Sequence, residues 1–258
     1  MHILERFGEI TESFLSYVGG IVELIGETFI TLFRLQIRYA ETFAQCYELG
    51  VGSLVIVLLT SMFTGMVISL ESAQQAVQYG IGSLVGGAVT YTSVRELGPM
   101  LTAVVVAGRV GSAIAAELGS MVVTEQIDAL RSMGLSATRF LVLPRFLALA
   151  LMLPLLTIFA DVISIVGGMW IAQSYAHINN SSFITSARLA VGFDDVIKGL
   201  VKSLVFAGII AFVGCYQGLS TRGGAAGVGR STTGAVVISI ILIFASNFAM
   251  SYVLFGGH

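Results

Sequence analysis

Long runs of apolar residues, separated by short polar segments, dominate the chain. A membrane helix needs roughly 20 apolar residues to cross a hydrocarbon core of about 30 Å. Five runs meet this requirement, and the pattern therefore predicts an all-α integral membrane fold with five transmembrane helices. These runs are 50–70, 83–108, 140–172, 200–217 and 232–255.

A sixth apolar stretch, 13–33, is interrupted by Glu23 and Glu27. Each acid would cost about 2.5–3.5 kcal/mol at the centre of a membrane helix. An amphipathic helix lying at the membrane interface avoids that cost. We therefore expect 1–49 to be an N-terminal interfacial amphipathic region and 50–258 to be the five-helix membrane domain. A further crossing by 13–33 is the alternative.

Composition supports the membrane assignment. The chain is 56% hydrophobic and 11% charged, whereas soluble domains carry about 25% charged residues. The net charge of -2 gives no indication of nucleic-acid binding. Cys46 and Cys215 lie far apart and outside any CxxC pattern, so neither a disulfide framework nor a metal site is predicted. No catalytic residue and no cofactor are predicted either.

The distribution of Lys and Arg predicts the orientation, because cytoplasmic segments are enriched in these residues. Nine of them lie in the N-terminal region and in the connections after the second and fourth spans, whereas only Arg188 and Lys198 lie in the opposite connections. We therefore expect a cytoplasmic N-terminus and, after five spans, a C-terminus on the outer side.

The polar stretch TEQIDALRSMG follows the second apolar run and is typical of a short capped helix at about 123–134. Thr124 is the predicted N-cap, Arg131 lies in the last turn, and Gly134 is the predicted left-handed stop. A helix of this length is not stable alone in water. It must pack either on its own helix bundle or on a soluble partner.

Ionisable residues inside membrane spans are costly and usually face protein or water. Arg95 and Glu96 interrupt the second run. Helical neighbours point about 100° apart, so each needs a partner on another helix or in a ligand. The pair either joins helices through salt bridges or forms a polar rim around a lipid headgroup, for which the forked donors of Arg suit a phosphate. The Lys202 side chain either extends to the membrane surface or provides a second cation beside Arg95 in such a site.

Three further features lie in or beside the apolar runs. Asp161 is expected to make a structural hydrogen bond to a neighbouring helix, and Gly98-Pro99 is expected to kink the second helix. The stretch GAAGVGRS, 224–231, is close to the Walker A pattern but has arginine at the lysine position and no preceding strand. We expect a flexible cytoplasmic loop there and no ATP site.

Three stretches carry a family resemblance. They are ELGPMLTAVVVAGRVGSAIAAELGSMVVTEQIDALRSMG, the following LPR at 143–145, and GVGRSTTGAVV at 227–237. Together they resemble the MlaE/YrbE permease family, the membrane subunits of ABC transporters that work with MCE proteins on lipids. The likeness extends over roughly residues 45–255.

The resemblance implies two sets of functional residues. The helix at about 123–134 would be the coupling helix that docks in a groove of the ATPase, through Glu125, Gln126, Asp128 and Arg131. Arg95 and Glu96 would lie at the mouth of a lipid cavity. Lys202, and Asn247 at a position where some members of the family carry an acid, would complete a substrate-binding set.

The implied function is that of a non-catalytic permease subunit in the bacterial inner membrane. A homodimer would move phospholipid or a similar lipid between that membrane and a periplasmic MCE-domain protein, contributing to outer-membrane lipid homeostasis. ATP and Mg would be bound by a separate ATPase chain, and the C-terminus would be periplasmic. Two alternatives stay open at this stage. One is an ion-driven secondary transporter, a class that tends to contain inverted repeats; the other is a membrane scaffold without transport activity.

Overall fold

The apolar runs fold into helices because a helix satisfies its own backbone N–H and C=O groups, which the hydrocarbon core does not do. The computed structural model describes residues 2–34 and 38–256, and within them it contains eight helices and no strand. The fold is therefore all-α, as predicted. The helices are α1 (His2–Phe33), α2 (Tyr39–Gln78), α3 (Gly82–Val123), α4 (Gln126–Ser132), α5 (Thr138–Ser174), α6 (Asn180–Ala190), α7 (Phe193–Leu219) and α8 (Gly224–Phe255).

Six of the described helices are long and apolar enough to cross a membrane, one more than the five predicted. The additional candidate is Leu15–Phe33, the second part of α1. This candidate is identified by length and composition alone, and these two properties do not distinguish a membrane crossing from an interfacial position. The interfacial placement of 1–49 therefore stays a prediction.

The first helix touches the bundle at a few places. Tyr17 packs edge-on against Tyr216 of α7, with ring centroids 4.9 Å apart. Glu27 accepts a hydrogen bond of 2.6 Å from the Thr138 hydroxyl of α5. The carboxylate of Glu27, which argued against a membrane crossing, thus has a polar partner in the bundle.

The helix α3 is the centre of the bundle, and it packs against α2, α5, α6, α7 and α8. Its 42 residues would extend over roughly 60 Å at 1.5 Å per residue, about twice the thickness of a hydrocarbon core. One end of α3 lies beside α6 and the other leads directly into α4. We refer to these two sides of the bundle as the α6 end and the α4 end.

Two π-helical turns, Ser93–Leu97 and Ala107–Gly111, interrupt the α-helical backbone of α3. Such turns bond each N–H to the carbonyl five residues earlier and occur frequently at functional sites. Each of these two turns contains an arginine, Arg95 in the first and Arg109 in the second. The turns therefore separate the part of α3 that contacts α6 from the part that leads to α4.

The stretch GAAGVGRS is not a flexible loop, contrary to our expectation. Gly223 has a left-handed φ of 89°, and α8 begins at the next residue. The helix formed by the last apolar run begins directly after Gly223, because residues 224–231 contain no proline that would interrupt it. The connection between α7 and α8 is therefore limited to residues 220–223.

Small residues allow α2 and α5 to pack closely along their length. The Ser69 hydroxyl of α2 donates a 2.7 Å hydrogen bond to the Gly168 carbonyl of α5. A Cβ atom at Gly65 would overlap the backbone of Ser164. Glycine at this position therefore determines how closely the two helix backbones approach.

We predict that Gly65→Ala destabilises the protein by about 1–3 kcal/mol, the usual cost of extra volume in a packed core. The measurement is the thermal unfolding midpoint of the purified protein. Gly26→Ala in α1 is the matched control, since a Cβ there has no neighbouring atom within 4 Å. Equal midpoints for the two variants would contradict the close α2–α5 contact.

Candidate functional site

Lys202 of α7 is fully buried, with 0% of its surface exposed. Its ammonium has three N–H donors, and the structure provides an acceptor for each of them. Nζ lies 2.8 Å from the backbone oxygen of Arg95, 2.9 Å from Oε1 of Glu96 and 2.7 Å from Oγ of Ser251. Lys202 therefore does not reach out to the membrane surface, because its three acceptors lie inside the bundle.

Glu96 is bound by side chains from two other helices. Besides Lys202 of α7, the Ser251 hydroxyl of α8 lies 2.9 Å from both carboxylate oxygens, and the Asn247 amide donates to Oε2 over 3.0 Å. Asn247 and Ser251 are four residues apart and hence share one face of α8. The amide of Asn247 thus contacts an anion, and no cation is needed as its partner.

Arg95 has different partners from its neighbour Glu96. Its Nη1 lies 3.5 Å from Oδ1 of Asp195 in α7. The guanidinium carbon also lies 3.6 Å from the ring centroid of Phe255 and 4.3 Å from that of Tyr91. The guanidinium makes no other ion pair within residues 38–256. Arg95 and Glu96 therefore pair with separate residues on other helices, as the 100° between helical neighbours predicts.

The local sequence of α3 explains the bond to the Arg95 carbonyl. In an α-helix this carbonyl would accept from the N–H four residues later, but that residue is Pro99, which has no N–H. The Lys202 ammonium donates to this oxygen instead. The Gly98-Pro99 pair, at which we predicted a kink, thus lies directly after the π-helical turn Ser93–Leu97. Pro99 leaves the Arg95 carbonyl available, and Lys202 of α7 donates a hydrogen bond to it.

We call this set the buried polar cluster after its buried member, Lys202; the other members are partly exposed. It consists of Arg95, Glu96, Asp195, Lys202, Asn247 and Ser251. Four members were predicted from the sequence, but Asp195 and Ser251 were not. A signal for both was present. Ser251 follows Asn247 at helical spacing on an apolar helix, and Asp195, Lys198 and Lys202 recur at the spacing of one face of α7.

The cluster is balanced in charge, with two cations, Arg95 and Lys202, against two anions, Glu96 and Asp195. Two groups of the cluster can make further hydrogen bonds. The Asn247 Oδ1 atom is buried without a hydrogen-bond partner in the described residues. The Arg95 guanidinium is held by one ion pair at 3.5 Å, so several of its five N–H groups can donate to an anionic group. The arrangement is suited to binding an anion beside an apolar surface.

Asp161 of α5 does not make the structural hydrogen bond that we expected. Its Oδ1 atom is buried and has no hydrogen-bond partner in the part of the chain that the structure describes. The carboxylate packs against Gly98 of α3, where a Cβ atom would overlap Oδ1. The Gly98 N–H is already bonded to the Ser93 carbonyl of the π-helical turn. The carboxylate therefore meets a stretch of helix without a free donor.

The helix α4 begins one residue later than predicted. Thr124 is not its N-cap, because the Thr124 hydroxyl donates back to the Ser120 carbonyl of α3 over 2.8 Å. Glu125 occupies the N-cap position with a left-handed φ of 61°. The predicted stop is confirmed, since Gly134 has a φ of 73°. Two residues therefore join α3 to α4 through a sharp turn.

The helix α4 packs on the bundle through an apolar side chain and exposes its polar residues. Ile127 is only 3% exposed, whereas the four predicted coupling residues face outward. Asp128 and Arg131 form an exposed ion pair at 3.7 Å. The helix therefore packs on its own bundle and still presents a polar face on which a partner can bind. The residues of this face are Glu125, Gln126, Asp128 and Arg131.

Comparison with known proteins yields one family and several relatives. The family described as Permease MlaE matches residues 42–253. A probable ABC transporter permease of Synechocystis sp. is 44% identical, over 91% of this chain and 89% of the relative. A probable ABC transporter permease of Rickettsia typhi is 35% identical, over 99% of this chain and 98% of the relative. The chloroplast protein TRIGALACTOSYLDIACYLGLYCEROL 1 of Arabidopsis thaliana is 36% identical, over 91% and 67% respectively.

We predict that Lys202→Met destabilises the protein by about 1–3 kcal/mol, because the Arg95 carbonyl and the Glu96 carboxylate lose their ammonium donor, while the Glu96 side chain is 35% exposed and keeps part of its hydration. The double variant Lys202→Met with Glu96→Gln should recover much of this loss. The thermal unfolding midpoint is the measurement for both.

Lys198→Met is the control for this prediction, since Lys198 lies one turn away and pairs with the exposed Asp194 at 2.8 Å. An exposed pair of this kind contributes about 0–1 kcal/mol. A Lys202→Met protein as stable as the Lys198→Met protein would show that the buried ammonium does not hold the cluster together.

Proposed function

The chain belongs to the MlaE permease family of ABC transporters, and on that premise we propose that it moves phospholipid or a similar lipid. The lipid would move between the bacterial inner membrane and a periplasmic MCE-domain protein. Transport would be driven by a separate ATPase, which would bind ATP and Mg. The permease chain itself would contribute no catalytic group and no cofactor.

The observation that carries the lipid proposal is the state of Arg95 in the buried polar cluster. Its guanidinium stacks on Phe255 and Tyr91, and its one ion pair within residues 38–256 is that with Asp195, at 3.5 Å. A phosphate would accept shorter, bidentate hydrogen bonds from the same fork. The aromatic rings would lie beside the first part of the acyl chains. The cluster thus combines an anion-binding group with apolar surroundings, as an amphiphile requires.

A second copy of the chain would complete the lipid cavity. Most of the apolar surface of α8 is exposed in the single chain, and Phe244, Phe248 and Tyr252 are all largely exposed. These side chains lie on the helix that also carries Asn247, whose Oδ1 is buried and has no hydrogen-bond partner among residues 2–34 and 38–256. Packing two copies around their α8 helices would enclose an apolar space next to both clusters.

The α4 helix would couple this cavity to the ATPase. It presents Glu125, Gln126, Asp128 and Arg131 outward, and Ile127 fixes it to the bundle. Only two residues join α4 to α3, the helix that contributes Arg95 and Glu96 to the cluster. The excess of Lys and Arg at the α4 end supports a cytoplasmic position for α4 and for the N-terminus, with a periplasmic C-terminus.

We predict that Arg95→Ala lowers the amount of phospholipid that co-purifies with the complex. Losing hydrogen bonds to a charged group corresponds to roughly a tenfold loss of affinity or more. Arg95→Lys should give an intermediate result, since it keeps the charge but not the fork. The measurement is phospholipid per complex by mass spectrometry, with the thermal unfolding midpoint recorded on the same sample.

Arg222→Ala, in the 220–223 connection, is the control and should retain lipid at the level of the unaltered protein. Unchanged lipid content in Arg95→Ala, together with a large loss of thermal stability, would assign Arg95 a purely structural role. Stimulation of ATP hydrolysis by a hydrophilic solute, with no lipid retained, would contradict the proposed substrate class.

We predict that reversing the charge of Glu125 and Asp128 together, to lysine, weakens assembly with the ATPase. Both carboxylates are exposed on α4, so the permease itself should still fold and insert. The measurements are recovery of the ATPase on the tagged permease and lipid-stimulated ATP hydrolysis, and both should fall severalfold.

Glu71→Lys in α2 is the matched control, because Glu71 is also an exposed carboxylate but lies towards the α6 end. Normal assembly and normal ATP turnover in the double charge reversal would exclude α4 as the coupling element. An equal loss in the Glu71→Lys protein would point to a general effect of added positive charge.

A further inference from the structure

A polar cavity of about 300 Å³ lies at the α4 end of the bundle, between the last turns of α1 and residues 134–140 at the start of α5. Arg34, directly after α1, and Arg139, in the first turn of α5, both line it. Arg34 is exposed and Arg139 is partly exposed. The apolar side chains of Ile30 and Phe140 belong to the same lining. The cavity therefore combines two accessible cations with an apolar wall.

Neither guanidinium is engaged by the side chains that the structure describes. Arg34 and Arg139 form no ion pair with any of them. The Arg139 Nε atom is buried, so the ends of the guanidinium groups are the parts that a ligand can reach. Glu27 is the one acid among the described lining residues, and it accepts a hydrogen bond of 2.6 Å from Thr138. Two cations against one acid give the lining a net positive charge.

The arginines at this end of the bundle lie at the ends of candidate membrane spans. Arg34 directly follows the span in α1, Arg38 directly precedes the span in α2, and Arg139 is the second residue of the span in α5. The guanidinium carbon of Arg38 also lies 4.4 Å from the ring centroid of Phe140, although Arg38 is already paired with Glu41. The ends of apolar spans lie on the headgroup side of the hydrocarbon core. The cavity is therefore at a level where phospholipids present their phosphates.

We propose that this cavity binds the headgroup of an anionic phospholipid from the membrane leaflet at the α4 end. The phosphate accepts hydrogen bonds from Arg34 and Arg139, whose forked donors suit it, and the acyl chains run along Ile30 into the bilayer. Basic pockets between membrane helices bind anionic headgroups in this way. The cavity shares no residue with the buried polar cluster, so the proposal does not depend on the proposed function.

An anionic lipid fits this cavity better than two other classes of ligand. A zwitterionic headgroup would place its ammonium near two guanidinium groups and would leave the net positive charge of the lining in place. An acidic segment of a soluble partner would match the charge but would not cover the apolar side chains beside it. Ile30 and Phe33 are 55% and 82% exposed, and acyl chains would cover both. A negative headgroup with acyl chains matches the charge and the apolar surface together.

The experiment is native mass spectrometry of the full-length protein, purified in detergent and delipidated. Phosphatidylglycerol and phosphatidylethanolamine with identical acyl chains are added in turn, and we expect phosphatidylglycerol to bind at a lower concentration. Arg34→Gln and Arg139→Gln should each weaken phosphatidylglycerol binding about tenfold, the loss of one charge-assisted bond, with little effect on phosphatidylethanolamine. Because Arg34 is exposed, its replacement does not disturb the core.

Arg188→Gln is the matched control, because Arg188 is also an exposed arginine but lies on α6, at the other end of the bundle. It should keep the preference for phosphatidylglycerol. Arg95→Ala should keep it as well, if the preference arises at the α4 end. A preference that is lost in Arg95→Ala and retained in Arg34→Gln and Arg139→Gln would overturn the proposal, because the lipid would then belong to the buried polar cluster.

Three further results would also overturn the proposal. The first is equal binding of the two lipids by the unaltered protein. The second is full displacement of phosphatidylglycerol by excess glycerol 3-phosphate, which would show that the cavity takes a free phosphate compound. The third is reduced recovery of the ATPase on the Arg34→Gln and Arg139→Gln proteins with unchanged lipid binding, which would assign both arginines to a protein contact.

Discussion

The burial of the Lys202 ammonium is the constraint on which the rest of the structure depends. Removing such an ion from water costs several kcal/mol, and good hydrogen-bond geometry is required to offset that cost. The acceptors come from α3 and α8, while Lys202 itself belongs to α7. One ammonium therefore fixes the relative positions of three membrane helices, and any change in their packing must supply it with other acceptors.

The position of α3 at the centre of the bundle connects the features described above. One face of this helix contributes Arg95 and Glu96 to the buried polar cluster, and another face packs against the buried Asp161 of α5 through Gly98. Only two residues separate its last residue from α4. The buried polar cluster, the contact with Asp161 and the junction with α4 thus all involve a single continuous helix.

The sequence predicted the helices and most of the cluster because both depend on local signals. Hydrophobic run length identifies a membrane helix, and a charge such as Arg95 stands out in an apolar run. Asp195 and Ser251 were missed because their role depends on how three helices align. Thr124 was misassigned because its hydroxyl can bond forward as a cap or backward to a carbonyl. The environment of Asp161 could not be predicted, since it depends on a Gly98 N–H that is engaged in a π-helical turn.

The π-helical turn Ala107–Gly111 has a mechanical consequence for α3. A π-helical turn contains one residue more than the α-helical turn that would replace it, so α3 contains one extra residue at this point. Returning that residue to the α-helical repeat would advance one half of the rod by about 1.5 Å and rotate it by about 100° relative to the other half. The turn lies between α4 and the π-helical turn that carries Arg95. A force on α4 could therefore rotate the Arg95 half of α3 about the helix axis by converting this turn to α-helix.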